Sequence, residues 1–92
     1  MYILTNDKIW GHDYSPIDMV IATIPLKGNL KLPYKDPYKL ALEKLQVEAY
    51  KLNGYDDFHN HTRVDAIVNV RFDSTAHSVT AYGTAVQFEL EL

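Results

Sequence analysis

The residues best suited to chemistry fall in one short run, Tyr55-Asp56-Asp57-Phe58-His59-Asn60-His61-Thr62-Arg63. On an extended segment, side chains two apart point the same way, so His59 and His61 present their imidazoles together. With an aspartate beside them, they form a donor set for zinc or nickel. The plain alternative is a solvated surface loop, since the other histidines, His12 and His77, are far away in sequence. The letters His-Asn-His do not make an HNH nuclease, because no ββα-metal context surrounds them.

Other chemistry is excluded more firmly. The absence of cysteine removes thiolate metal sites, iron–sulfur clusters, disulfides and a cysteine nucleophile. Ser74 and Ser78 flank His77, but adjacency in a turn is not the geometry of a triad. Glu43 and Glu48 lie five apart on a helical stretch and do not align, and Glu89 and Glu91 alternate out of one strand face. The four glycines are isolated, so no loop can cradle a phosphate. The expectation is a noncatalytic protein with no bound cofactor.

Charge and hydropathy narrow the partners. A net charge of −3, with nine Lys and Arg residues scattered singly, argues against nucleic-acid binding, which requires basic patches. No apolar run approaches the roughly 20 residues that span a bilayer. The start, Met-Tyr-Ile-Leu-Thr-Asn-Asp-Lys, lacks the pattern of a signal peptide. A soluble cytoplasmic protein without nucleic-acid or membrane partners is expected.

The 92 residues, 1–92, are enough for one domain. Tyr2–Thr5 is a short first strand ending at the turn-favouring Asn6-Asp7 pair. Lys8–Pro16 is a connection that carries Trp10, the single tryptophan, expected to cover one end of the sheet. Ile17–Ile24 lies between Pro16 and Pro25 and is apolar on both faces, which predicts a central position or cover on both sides. Leu26–Lys35 reads as an exposed edge strand or extended loop.

Asp36 and Pro37 begin the one helix, as N-cap and first helical residue, and Gly54 is placed to end it. Tyr38, Ala41, Leu42, Leu45, Ala49 and Leu52 form its core stripe. A thinner stripe of Leu40, Val47 and Tyr50 suggests a second contact, with a loop or with another subunit.

The hairpin organises the remainder. In Val64–Phe72 the side chains of Val64, Ala66, Val68, Val70 and Phe72 alternate with those of Asp65, Ile67, Asn69 and Arg71. A polar break, Asp73–Ser78, leads to a second strand rich in β-branched and aromatic residues. Val86, Phe88, Leu90 and Leu92 continue the alternation to the end of the chain. Gly83 lies mid-strand, which marks a bulge or a close approach of another backbone. The expected fold is α+β, a mostly antiparallel sheet with one main helix on one face in ββ-α-ββ order.

The residues Asp65-Ala66-Ile67-Val68-Asn69-Val70-Arg71-Phe72, followed after the turn by Gly83-Thr84-Ala85-Val86, resemble the YbjQ-like family of small bacterial proteins, which are often labelled heavy-metal-binding. With the helix, the likeness covers about half of the chain. Arg63-Val64 stands where the family has Gly-Ala, and Tyr55–Thr62 reads as an insertion. The resemblance implies an α+β fold in a homo-oligomer, typically a ring of five. The leading expectation is a homo-oligomeric binding or scaffold protein, and the alternative is a metal-binding protein using His59 and His61.

Overall fold

The computed structural model describes residues 1–9, 11–26, 36–55 and 61–89. Strand β1 (Tyr2–Ile3) and strand β2 (Tyr14–Pro25) precede the helix α1 (Pro37–Tyr50). The short strands β3 (Gly54–Tyr55) and β4 (His61–Thr62) follow, then the long pair β5 (Ala66–Ser74) and β6 (Ser78–Phe88). The main sheet has the order β1-β5-β6-β2. Its β5–β6 and β6–β2 pairings are antiparallel, and β1 joins β5 in parallel. The α+β expectation holds, and the hairpin forms the centre of the sheet. Trp10, the 27–35 stretch, His59 and the last residues, 90–92, lie outside the described residues.

Helix α1 begins as the sequence requires. The Asp36 carboxylate accepts the Tyr38 N–H at 2.9 Å, and Pro37 occupies the first turn, where an N–H would lack a partner. Ala41, Leu45 and Ala49 are fully buried against Val20, Ala22, Ile67, Val70, Val79, Ala81 and Ala85 of the sheet. Small alanines at both ends of this stripe bring the helix close to the strands. The helix ends at Tyr50, earlier than Gly54 suggests, and Gly54 opens β3 instead.

The hairpin departs from simple alternation at one point. Val68 pairs with Thr84 and Arg71 with Tyr82, so Asn69 and Val70 together oppose Gly83. This is a β-bulge, and Asn69 takes the left-handed conformation, with φ of 55°, that its short polar side chain tolerates. One extra residue inverts every side chain beyond it. Ala66 and Val68 therefore face away from the helix with Val86, while Ile67 and Val70 face it. Phe72 follows Val70 onto the helix side, where its ring meets Tyr38 edge-on at 5.2 Å. The five residues that share a face by simple alternation are split between two layers.

The bulge also binds the start of the chain. The Asn69 and Val70 N–H groups donate to the carbonyls of Asn6 (3.0 Å) and Leu4 (2.9 Å). The Arg71 guanidinium donates to the Thr5 carbonyl and, at 2.9 Å, to the Val70 carbonyl. Leu4, Ile9, Tyr14 and Phe88 then cover Ala66, Val68 and Val86, forming a second, smaller core on the outer side of the sheet. The outward positions of Asn69 and Arg71 thus meet the chain's own N-terminal segment.

Candidate functional site

Of the paired histidines, His61 lies in β4, opposite Tyr55 of β3, in a two-stranded sheet separate from the main one. His59 is outside the described residues. Among the described residues, no group of three or more His, Asp or Glu side chains is placed to hold a metal ion. The segment read as a surface loop has its two ends joined as a small ladder.

The serine–histidine turn is accounted for by local bonding. The Thr75 hydroxyl accepts the N–H groups of His77 and Ser78, both at 3.1 Å, and the Thr75 N–H donates to the Ser78 carbonyl at 2.8 Å. The Ser74 hydroxyl accepts from Tyr38 at 3.3 Å. Glu48 pairs with Lys51, and Glu89 accepts from the Ser15 hydroxyl at 3.0 Å. These contacts serve turns, a helix face and a strand end.

Asp65, the first matched hairpin residue, is a structural clasp. Its carboxylate accepts the Phe88 N–H at 2.8 Å and pairs with the Arg63 guanidinium at 2.7 Å. Its carbonyl accepts the Tyr2 N–H at 3.2 Å, so one residue links β1, the start of β5 and the end of β6. The Arg63 N–H also donates to the Gln87 side-chain oxygen at 3.1 Å.

Two of the concavities among the described residues bear on function. An open cleft of about 710 Å³ is lined by Asp7, Lys8, Ile9, Gly11, His12, Asp13, Tyr14 and Glu89. His12 stacks on Phe88 at 4.1 Å there, and the Tyr14 hydroxyl donates to the Asp7 carbonyl. The second is an apolar groove on the outer sheet face, lined by Met19, Val20, Ile21, Asp73, Thr80 and Tyr82. Met19 is 69% and Ile21 64% exposed. Among the described residues the N-terminal segment covers only the other half of this face, and β2 is an edge strand with an exposed apolar side. The central position or cover on both sides expected from its two apolar faces is not found, since β2 lies at the end of the strand order and Met19 and Ile21 are exposed. The signal for an edge was present in Pro16 and Pro25, since proline at a strand end suits an unpaired edge.

This arrangement can be set beside known proteins. A UPF0145 protein of Enterococcus faecalis is 27% identical over 113 residues, covering 97% of this chain and 98% of that protein. The likeness is to UPF0145. A crystal structure of a DUF74-family protein of unknown function from Pediococcus pentosaceus has the same fold, with a TM-score of 0.65 at 20% identity. It covers 97% of this chain and 98% of its own. Both family names denote the YbjQ-like proteins that the hairpin resembles. No family model matches the chain. The names carry no enzymatic activity. Among the described residues, no helix is long and apolar enough to cross a membrane.

Proposed function

We propose that this protein is a noncatalytic homo-oligomer, a binding or scaffold unit of the YbjQ-like type whose copies associate through the uncovered side of β2. The observation that carries this reading is the exposure of Met19 and Ile21 beside Tyr82 on an unpaired sheet edge. Contiguous exposed apolar surface of this kind marks interaction sites in soluble proteins. A 92-residue domain without disulfides also gains stability by burying surface between copies. The ring of five implied by the family resemblance is one assembly of this class.

The candidate catalytic groups support the noncatalytic part. Ser74, Ser78, Glu48 and Glu89 each have a structural contact. Light scattering on the full chain at micromolar concentration tests the reading. A mass that is a multiple of 10.6 kDa supports it, and a 10.6 kDa particle throughout overturns it.

A further inference from the structure

Met1 and Met19 carry the only sulfur atoms of this chain, since it has no cysteine. Peroxides oxidise thiolates and thioethers, so sulfur oxidation in this protein falls on those two residues. Their settings differ. Met1 is partly buried and packs against the main core. Met19 is 69% exposed and lines the apolar groove with Ile21, Asp73, Thr80 and Tyr82. The sulfur open to a water-borne oxidant therefore lies on the surface assigned above to association.

We infer that Met19 is a redox-sensitive modification site. A peroxide converts its thioether to the sulfoxide in the free chain, and the sulfoxide opposes association through the uncovered side of β2. This rests on the homo-oligomer reading above and adds its regulation. The sulfur lone pair attacks one peroxide oxygen, and an S–O bond forms as the O–O bond breaks. The other oxygen leaves as water or an alcohol, so sulfur loses the two electrons that the peroxide gains. A dithiol reductant reverses the change, removing the oxygen as water and becoming a disulfide.

The chemistry of the groove makes one oxygen sufficient. Covering a thioether removes apolar surface from water, which favours association. A sulfoxide oxygen accepts hydrogen bonds from water and loses them when the groove is covered. The Asp73 carboxylate beside it is also an acceptor, and the Thr80 hydroxyl is already bonded to that of Thr23 at 2.9 Å. A buried polar group left unmatched in this way weakens a contact about tenfold or more. In the single chain the Met19 side chain faces solvent, so the sulfoxide leaves the fold intact.

Oxidation and association then exclude each other. Covering the groove hides the sulfur, so the reaction proceeds from the unassociated chain and draws copies out of the assembly by mass action. High protein concentration protects Met19, and oxidised chains accumulate as single copies.

Dilute hydrogen peroxide on the full chain, read by native mass spectrometry and peptide mapping, tests the switch. In a partly oxidised sample, chains with oxygen on Met19 should appear at 10.6 kDa and unmodified chains in the assembly. Oxidation of Met19 should slow as protein concentration rises. Methionine sulfoxide reductase with a dithiol should restore the assembled mass. Met19→Leu is compared only with itself, and its mass should be the same before and after peroxide. Assemblies rich in Met19 sulfoxide, dissociation of Met19→Leu by peroxide, or oxidation of Met1 ahead of Met19 overturns the switch while leaving self-association intact. If Met19→Leu does not assemble, the distribution of Met19 sulfoxide between single and assembled chains decides alone. A wild-type chain that is monomeric before treatment overturns both readings.

Discussion

Gly83→Ala is a direct test of the packing at the centre of the sheet. A Cβ at residue 83 would lie 2.8 Å from Ile67 Cγ2, 3.0 Å from the Val68 carbonyl oxygen and 3.2 Å from Val70 Cγ2. The nearest atom belongs to a fully buried side chain, and the second is backbone within the central pair, so neither can retreat cheaply. Overpacking of this kind costs about 1–3 kcal/mol. Restricting the unfolded chain returns only about 0.4–1 kcal/mol. The clash wins, and a net loss of about 1–2 kcal/mol is expected. For a domain of this size that lowers Tm by about 5–15 °C. Urea unfolding followed by circular dichroism, at one fixed protein concentration, reads the change as a lower midpoint with an unchanged slope. Equal or greater stability of Gly83→Ala would refute the account of the bulge.

Further substitutions test separate parts of the structure. Asn69→Val should cost about 1–2 kcal/mol because a β-branched residue resists the left-handed conformation, while Asn69→Gly should stay near wild type; denaturant midpoints compare them. Asp65→Ala should cost about 1–3 kcal/mol by leaving the Phe88 N–H without its carboxylate, also read by urea unfolding. Leu45→Ala, at the buried centre of the helix stripe, should lose about 2–5 kcal/mol in the same assay. A site built on His59 and His61 requires that zinc or nickel bind the wild type and not the His59→Ala/His61→Ala double variant; superimposable calorimetric titrations would end that reading.

The helix and the hairpin are legible in the sequence because local chemistry specifies them. Asp36-Pro37 can begin a helix without tertiary help, and the alternation on either side of Asp73–Ser78 indicates two strands. The bulge is legible only as a mid-strand glycine. Its consequence, the exchange of faces beyond Val68, depends on Asn69 adopting a positive φ opposite Gly83, and periodicity cannot register an inserted residue. The location of β2 fails for a similar reason. An apolar residue covered by a helix and one left exposed have the same letter, so Ile17–Ile24 reads as central or covered on both sides while Met19 and Ile21 stand exposed. The bonds from Arg71 to the Thr5 carbonyl and from the Tyr2 N–H to the Asp65 carbonyl are set by the docking of residues 2–6 beside β5, a contact more than 60 positions distant in sequence that no local pattern encodes.

Amide hydrogen exchange along β2 tests the central claim most directly. The inward N–H groups of Val20 and Ala22 bond to β6 and should exchange slowly whatever the state of association. Among the described residues the Ile21 and Thr23 N–H groups, which point to the free edge of β2, have no partner, and association through that edge would protect them. The account predicts slow exchange at Ile21 and Thr23 at micromolar concentration, with protection lost on dilution. Exchange at free-peptide rates in a sample whose mass shows assembled chains would contradict it.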